Sequence, residues 1–298
     1  MRILVTGANG QLGWELVRRG PARGQEIIGL TRTDLDVADR GQILTAVGKS
    51  GAALVINAAA YTAVDKAESE PEKALAANGD APGWLAEACG RENIPLIHVS
   101  TDYVFDGRKQ GPYLETDPVS PLGIYGRSKA EGEARVRSAL ARHIIVRTAW
   151  VYGRHGHNFV RTILRLAQER EALKVVADQY GCPTNAADLA EALLVMAAKL
   201  DSGLEAWGTY HYCGGGRTTW HGLAVKAVEL AWTRLPIKAR EVIPITTAEY
   251  PLASPRPANS VLDCGRTAEV FGLVPPAWPE SLARLLDEAL PEWFPGAA

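Results

Sequence analysis

The first half of the chain alternates short apolar runs with amphipathic stretches. The apolar runs occupy residues 2–7, 26–31, 53–60, 94–101 and 143–150. Patterns with helical spacing separate the runs, for example leucine and valine side chains at 11–20. Near-continuous apolar strands that alternate with helices predict a parallel sheet covered on both faces. Because crossover connections are right-handed, the expected fold is of the α/β class, with a doubly wound sheet.

The second half has a different pattern. Helices are expected at 158–170 and 186–200, and a strand that enters a turn at 208–216. Prolines cluster at 250–260 and 274–280, where they predict loops. We therefore expect a nucleotide-binding domain over 1–150. A smaller, mainly substrate-binding lobe is expected over 151–298, with segments that return to the first domain.

Composition excludes several classes of partner and location. The chain has 298 residues, 32 basic against 34 acidic side chains, and a net charge of −2. It contains no basic run, so neither nucleic acid nor a membrane surface is an expected partner. The apolar stretch at the N-terminus is too short for a signal-peptide core, and no run reaches the length of a membrane span. A cytoplasmic location is expected.

The four cysteines, Cys89, Cys182, Cys213 and Cys264, are far apart in the sequence. They form no C-x-x-C motif and no zinc-type spacing, and a disulfide framework is disfavoured in a chain of this size. We expect reduced, partly buried thiols.

A glycine triplet lies between the first strand and the first helix. Gly7, Gly10 and Gly13 follow one another at three-residue intervals in "TGANGQLG". Such glycines permit a tight turn, close approach of backbone N–H groups to a pyrophosphate, and close packing of helix on strand. At this junction the triplet predicts a Rossmann-type dinucleotide site.

The end of the second strand bears on the choice of cofactor. Dinucleotide sites often carry an acid there for the adenine ribose, whereas this strand ends at Thr31 and Arg32. An arginine can accept the 2′-phosphate of NADPH, which favours NADPH over NADH. The alternative is that Arg32 is solvated and that Asp34 or Asp36 binds the ribose, as in an NADH site.

Three polar side chains are expected to converge at the carboxyl ends of the strands. Thr101 ends the fourth strand, and Tyr125 and Lys129 lie one helical turn apart on the next helix. The set suits reduction of a carbonyl beside a nicotinamide. Tyr125 would donate the proton, and Lys129 would lower the pKa of the phenol and hold the nicotinamide ribose. Thr101 would hydrogen-bond the carbonyl oxygen of the substrate as negative charge develops on it.

Together, these motifs resemble the extended short-chain dehydrogenase/reductase family. The resemblance rests on the glycine triplet, "NAAA" after strand three, "STD" after strand four and the Y-x-x-x-K pair. The further motifs "TAVDKAESEP", "STDYVFDG", "RTAWVYG", "DQYGCPT" and "RPANS" are similar to the dTDP-4-dehydrorhamnose reductase branch, over residues 1 to about 290. The resemblance implies reduction of the C4 ketone of dTDP-4-dehydro-β-L-rhamnose by NADPH, as the last step of dTDP-rhamnose synthesis.

Site residues are also implied. Thr101, Tyr125 and Lys129 match the catalytic positions, and Asp102 and Trp150 match positions that touch the sugar. The full set of expected cofactor-binding residues is Gly7, Gly10, Gln11, Leu12, Gly13, Thr31, Arg32, Asp36, Val37, Ala58, Ala60, Tyr61, Thr62, Val99, Tyr125 and Lys129. Two positions depart from the family pattern: Thr31 stands where an acid is frequent, and Tyr61 where a histidine is frequent. The first leaves the choice between NADPH and NADH open.

The second half offers further substrate contacts in Asn158, Gln179 and Arg256. A guanidinium suits phosphate oxygens, so Arg256 is expected to bind the diphosphate. The alternative is a salt bridge that anchors a loop. His155 and His157 lack a clear third ligand, so no metal site is assigned. Some relatives are described as metal-bridged dimers, which leaves Mg²⁺ and a homodimer open.

Three rival functions remain. The first is a sugar-nucleotide dehydratase or epimerase, but dehydratases typically carry Asp-Glu after the threonine, where this chain has Asp102 and Tyr103. The second is a non-catalytic subunit on the same fold, such as the regulatory chain of methionine adenosyltransferase; the intact catalytic set argues against it. The third is a reductase of another 4-keto-6-deoxy nucleotide sugar, including one that gives the opposite C4 configuration.

Overall fold

A computed structural model describes residues 1–295 of the chain. Its largest sheet has six strands, all parallel, in the order β10-β5-β4-β3-β1-β2. The strands of the large sheet are β1 (Arg2–Thr6), β2 (Glu26–Leu30), β3 (Leu54–Asn57), β4 (Leu96–Thr101), β5 (His143–Thr148) and β10 (Gly208–His211). Six shorter strands form three separate pairs: β6 (Val151–Tyr152), β7 (Ala172–Val176), β8 (Tyr180–Gly181), β9 (Thr184–Asn185), β11 (Thr218–Thr219) and β12 (Glu241–Ile245).

Helices connect the strands and cover the sheet. The helices are α1 (Gln11–Arg19), α2 (Arg40–Ser50), α3 (Val64–Ala67), α4 (Pro71–Leu75), α5 (Ala81–Arg91), α6 (Ile124–Ala139), α7 (Phe159–Glu169), α8 (Ala186–Asp201), α9 (Trp220–Ala231), α10 (Gly265–Phe271) and α11 (Trp278–Trp293). A π-helical turn, Ala76–Asp80, joins α4 to α5, and 3₁₀ turns occupy Gly20–Arg23, Asp102–Val104 and Thr247–Glu249. No helix within 1–295 combines the length and apolar character needed to cross a membrane.

The strand order explains where a site can form. The chain runs outward from β1 in one direction to β2 and in the other to β3, β4 and β5. The crevice outside the carboxyl ends of β1 and β3 is therefore the topological switch point, where such sheets bind ligands. Thr6, Asn57 and Thr101 end three neighbouring strands at this edge. The predicted doubly wound α/β fold is confirmed.

Each face of the sheet buries an apolar core because side chains alternate along the strands. Ile3 and Val5 face α1 and α8 in one cluster, whereas Leu4 packs with α2 and α5 in another. A third cluster forms away from the sheet between α7, α9, α11 and β7. The second half of the chain thus has a core of its own.

Two segments of the second half lie with the large sheet. β10 extends the sheet beyond β5, and α8 packs against α1. The predicted division of the chain at residue 150 into two lobes stays a prediction. Sequence patterns missed the pair β7 and β12, which run parallel in a sheet of two strands. Pro244 interrupts the apolar run of β12, and a proline in a strand is tolerated where the strand is an edge.

Candidate active site

The glycine triplet builds a tight turn at the switch point. Gly7 has φ +70°, and a Cβ added to it would lie 2.7 Å from the Cα of Ala59. A Cβ on Gly13 would lie 2.1 Å from the Gly7 carbonyl oxygen, so helix and strand pack too closely for any side chain. Gly10 precedes α1 without a side-chain cap, and the buried Oε1 of Gln11 has no hydrogen-bond partner within residues 1–295. This turn, with uncapped helix N–H groups beside it, fits a dinucleotide pyrophosphate.

After β2, the two aspartates are bonded within their own turn, whereas Arg32 is not. The Asp34 carboxylate accepts hydrogen bonds from the Thr31 backbone N–H at 2.9 Å and from the Thr31 hydroxyl at 2.6 Å. These bonds lower the pKa of Asp34 and commit its carboxylate to the turn. Asp36 similarly accepts a bond from the Ala38 N–H. The exposed Arg32 makes no ion pair in the described part of the chain, so its guanidinium is available to an anion.

A buried polar chain that the sequence patterns did not predict lies beneath this edge. The Thr6 hydroxyl donates to Asn57 Oδ1 at 2.7 Å, and Asn57 Nδ2 lies 3.0 Å from His98 Nδ1. Since the amide nitrogen is a donor, His98 Nδ1 accepts. Burial holds the pKa of His98 well below its usual range, so the ring is neutral. The sequence held a signal for this chain, since Thr6 and Asn57 end apolar strands and His98 interrupts one.

The loop after β3 is tied to the helix that carries the catalytic candidates. This loop contains Ala58, Ala60, Tyr61 and Thr62. The Tyr61 backbone N–H donates to Asn78 Oδ1 at 2.8 Å, and Asn78 Nδ2 donates to the Tyr61 carbonyl at 3.0 Å. Asn78 also donates to the Ser128 hydroxyl at 3.1 Å, inside α6. Asn78 lies in the π-helical turn, a feature that often marks functional sites, and sequence reasoning missed it.

Thr101 and Tyr125 come together as predicted. Tyr125 is in the first turn of α6, and the Thr101 hydroxyl lies close enough to the phenol to lower its pKa. Tyr103 packs edge-on against the Tyr125 ring, with ring centroids 5.4 Å apart. Burial raises the pKa of Tyr125 to about 12, against the opposing effect of Thr101. Tyr125 is therefore protonated throughout the physiological range.

Lys129 is buried and bonded to the backbone. Its ammonium donates to the Val99 carbonyl at 2.7 Å, and the residue is only 2% exposed. Burial lowers the pKa of Lys129 to about 8, with the Glu133 carboxylate opposing the shift. In this arrangement desolvation has the largest effect on the Tyr125 pKa, and a lowering of that pKa by Lys129 stays a prediction.

A buried ion pair lies one turn beyond Lys129. Glu133 receives two bonds from Arg147, Nε to Oε1 at 2.9 Å and Nη2 to Oε2 at 2.7 Å. Arg137 donates to the same carboxylate at 2.7 Å. Glu133 and Arg147 are both fully buried, and the Arg147 guanidinium lies 5.0 Å from the Phe105 ring centroid. Sequence reasoning did not single out either residue, although a charge at a strand centre is itself unusual.

Asp102 follows Thr101 and is 3% exposed. Its Oδ1 accepts a hydrogen bond from the Thr101 hydroxyl at 3.0 Å, and Oδ2 has no partner in the chain as far as residue 295. Burial raises the pKa of Asp102 to about 6. An unpartnered carboxylate oxygen beside Thr101 suits a hydroxyl of a sugar, in keeping with the predicted role.

The raised pKa of Asp102 predicts an unusual pH dependence of stability. The folded pKa of about 6 lies above the unfolded value of about 3.9, so the folded state binds the extra proton and stability falls as pH rises between them. The cost above pH 6 is at most about 3 kcal/mol. We expect Asp102→Asn to be more stable than the native chain at pH 8 and to lose that advantage by pH 4. Urea unfolding across this range measures it.

Asp39→Asn serves as a control of opposite sign. Backbone bonding from Gln42 lowers the pKa of Asp39, so this variant should be less stable than the native chain at neutral pH and converge with it in acid. Equal pH slopes for Asp102→Asn and the native chain would contradict the assignment.

Trp150 has an unusual backbone conformation for a large residue, with φ +49°. Its ring stacks on Trp220, with centroids 3.7 Å apart and planes within 9°. The indole also lies flat on Gly181, where an added Cβ would be 2.3 Å from the ring. A strained, rigidly packed aromatic at a strand end often belongs to a binding site.

The other predicted substrate residues make internal bonds. Asn158 caps α7 through the Arg161 N–H, and Gln179 donates to the Thr247 hydroxyl at 3.0 Å. Arg256 binds Asp65 at 2.7 Å and the Ser254 carbonyl at 2.8 Å. This is the loop-anchoring salt bridge of the alternative interpretation. Contact of Arg256 with a diphosphate stays a prediction.

The histidines near residue 155 form no metal site. His155 stacks on Trp14, with ring centroids 5.4 Å apart, and its Nε2 lies 3.1 Å from the Asn9 carbonyl. Within the described residues, no group of three or more histidine, cysteine, aspartate or glutamate side chains is arranged to hold a metal ion.

Several known proteins are similar to this chain over nearly its whole length. A family model described as the RmlD substrate binding domain matches residues 1–290. A dTDP-4-dehydrorhamnose reductase of Sinorhizobium fredii is 44% identical over 289 residues, which cover 96% of this chain and 97% of the relative. A crystal structure of a dTDP-4-dehydrorhamnose reductase from Clostridium acetobutylicum superposes with a TM-score of 0.90 at 37% identity, covering 97% and 99% of the two chains.

A second solved relative carries a cofactor. The dTDP-4-dehydrorhamnose reductase of Bacillus anthracis, in complex with NADP, superposes with a TM-score of 0.88 at 36% identity, covering 96% of this chain and 99% of its own. Fold and sequence agree over nearly the whole length. The chain belongs to the dTDP-4-dehydrorhamnose reductase family.

Proposed function

We propose that this chain reduces the C4 ketone of dTDP-4-dehydro-β-L-rhamnose to dTDP-β-L-rhamnose with NADPH. The observation that carries the proposal is the meeting of the Thr101 hydroxyl and the Tyr125 phenol at the carboxyl end of β4, in a sheet whose first turn fits a dinucleotide. Family membership supplies the substrate, since the relatives are named dTDP-4-dehydrorhamnose reductases.

The side chains divide the work of carbonyl reduction. Bound NADPH would supply the hydride. Tyr125, protonated at neutral pH because its pKa is about 12, gives its proton to the substrate oxygen as charge develops there. With substrate bound, the Thr101 hydroxyl would turn its one proton from Asp102 Oδ1 to that oxygen and donate a second hydrogen bond there. Both contacts strengthen as the oxygen becomes negative, which is what accelerates the chemical step.

Lys129 carries the charge that the reaction needs after proton transfer. A buried phenolate is unfavourable, and Lys129 lies one turn from Tyr125 on the same face of α6. Its pKa of about 8 leaves it largely protonated at pH 7. From its position on the Val99 carbonyl, the ammonium would also bond the ribose hydroxyls of the cofactor.

Two rival functions are separable by assay. A dehydratase or epimerase would convert a nucleotide sugar without net use of reduced cofactor, and a binding subunit would bind cofactor without turnover. Purified protein is therefore incubated with dTDP-4-dehydro-β-L-rhamnose, generated in place, and loss of reduced nicotinamide absorbance is followed. Consumption that requires the sugar supports the proposal. Tight NADPH binding without consumption contradicts it, and NMR of the product assigns the C4 configuration.

The cofactor preference has its own test in Arg32. Its unpaired guanidinium suits the 2′-phosphate, and a charge-assisted hydrogen bond contributes about 1.5–3 kcal/mol. We expect Arg32→Ala to raise the KM for NADPH by roughly 10- to 100-fold and to leave the KM for NADH nearly unchanged. Steady-state kinetics with both cofactors measure this.

A matched control is Arg165→Ala, which removes another exposed arginine, one paired with Glu169 on α7. It should change neither constant. An equal rise of the KM values for NADPH and NADH in Arg32→Ala would contradict 2′-phosphate binding by Arg32. It would favour the alternative in which Asp34 or Asp36 binds the adenine ribose.

The oligomeric state and the cellular location of the enzyme stay predictions. A homodimer is tested by light scattering of the purified chain, and a cytoplasmic location by fractionation of cells. Mg²⁺ is not part of the proposal.

A further inference from the structure

Three of the four cysteines converge in space although they are far apart in the sequence. Cys182 lies between β8 and β9, Cys213 follows β10, and Cys264 directly precedes α10. The Sγ atoms of Cys213 and Cys264 are 3.6 Å apart, and Cys182 lies in the same buried cluster as Cys213. All three contribute to one apolar cluster with Val104 and Leu262. The fourth, Cys89, is buried in a different cluster.

We propose that Cys213 and Cys264 form a site of reversible thiol oxidation, in which hydrogen peroxide converts the pair to a disulfide. Cys264 is half-buried, whereas Cys182 and Cys213 are at most 3% exposed, so peroxide reaches Cys264 first. A disulfide needs its sulfurs about 2.05 Å apart, so the pair must close by roughly 1.5 Å. Such a shift is small compared with the reach of a side-chain rotation.

The chemistry balances in two steps. The Cys264 thiolate attacks one peroxide oxygen, breaks the O–O bond, and becomes a sulfenic acid while the second oxygen leaves as hydroxide, which takes up a proton to form water. The Cys213 sulfur then attacks the Cys264 sulfur. The S–S bond forms, the S–O bond breaks, and the oxygen departs as water with the proton from Cys213. Two thiols and one peroxide give one disulfide and two waters.

The surroundings favour a redox role over the alternatives. The cluster is not arranged as a metal site within residues 1–295. Cys213 also neighbours a second thiol, Cys182, and the proximity of the two lowers the pKa of Cys182 and raises that of Cys213. The resolving sulfur is therefore held in place between two neighbours. A lone buried thiol such as Cys89, whose pKa burial raises to about 12, has neither partner nor access.

The test counts thiols in the full-length protein. The reduced chain is treated with a small excess of hydrogen peroxide, quenched with catalase, unfolded and labelled with N-ethylmaleimide. We expect four labels to fall to two, with a Cys213–Cys264 peptide after proteolysis and recovery of all four labels after dithiothreitol. Cys89→Ser is the matched control and should lose two of its three labels.

Cys264→Ser should keep all three of its thiols, and Cys264→Ala replaces it as a probe if the serine variant does not fold. Retention of four labels by the native chain would overturn the proposal. So would a Cys182–Cys213 bond in its place, or sulfinic acid at Cys264 with Cys213 still free. Each readout is independent of enzymatic turnover, so it stands or falls apart from the proposed reductase activity.

Discussion

Replacing Tyr125 with phenylalanine should lower kcat by about 10²- to 10⁴-fold, the range that a positioned general acid supplies. The ring and its edge-on contact with Tyr103 survive, so the pocket keeps its shape. The lost group is the phenolic proton, which burial keeps in place at neutral pH by raising the pKa to about 12. Affinity for NADPH should stay within about twofold, since a contact made mainly in the transition state contributes little to ground-state binding.

Single-turnover kinetics and equilibrium titration of NADPH separate these two quantities. Tyr152→Phe is the matched control, because Tyr152 is buried and its hydroxyl has no hydrogen-bond partner in residues 1–295. It should leave kcat within a few-fold of the native value. A Tyr125→Phe enzyme that turns over like Tyr152→Phe would remove Tyr125 from the mechanism and favour a proton from water.

Breaking the buried Glu133–Arg147 pair should destabilise the fold by about 3–5 kcal/mol, since a single replacement leaves the partner charge buried and unpaired. Arg147→Met is the sharper variant because Glu133, fully buried, would keep only Arg137. The double variant Glu133→Leu/Arg147→Met should recover part of the loss, because neither charge then remains. Urea unfolding of the two single variants and the double variant gives the coupling energy.

An exposed pair provides the comparison. Arg165 and Glu169 form an i,i+4 bridge with both side chains more than half exposed, and Glu169→Ala should cost under about 1 kcal/mol. Equal effects at the exposed and buried pairs would show that burial of Glu133 does not matter. The same variants report on Lys129: removal of the Glu133 charge should lower the Lys129 pKa further and shift the basic limb of the pH profile accordingly.

Sequence patterns predicted the parts of the site that depend on one strand and the helix that follows it. The glycine spacing at 7, 10 and 13 needs one strand and one helix, and the structure builds both with no room for a Cβ on Gly13. Thr101 and Tyr125 meet because one ends a parallel strand and the other starts the next crossover helix. Five strands of the large sheet followed from the same alternation. The sixth, β10, comes from the second half of the chain, where a strand was expected but not assigned to this sheet.

Contacts between distant segments escaped those patterns. Arg256 was assigned to a diphosphate because guanidinium groups suit phosphate, yet its partner in the structure is Asp65, 191 positions away. The Lys129 ammonium was assigned to the Tyr125 phenol, and it bonds the Val99 carbonyl. Asn78 links the Tyr61 loop to α6 from inside a π-helical turn that no composition rule marks. Each of these contacts joins side chains or backbone groups of separate elements, so it depends on how those elements pack together.

The sequence by itself therefore determined the fold class, the glycine turn and the pairing of Thr101 with Tyr125 at the candidate site, since periodicity and glycine spacing act over one strand and one helix at a time. Only the tertiary structure decided which charges are buried, which way Lys129 points and which thiols meet. Burial is the largest cause of the pKa shifts of Asp102, Tyr125 and Lys129 from their ordinary values. Burial depends on the whole packed chain, because residues that are distant in the sequence together exclude water from these groups.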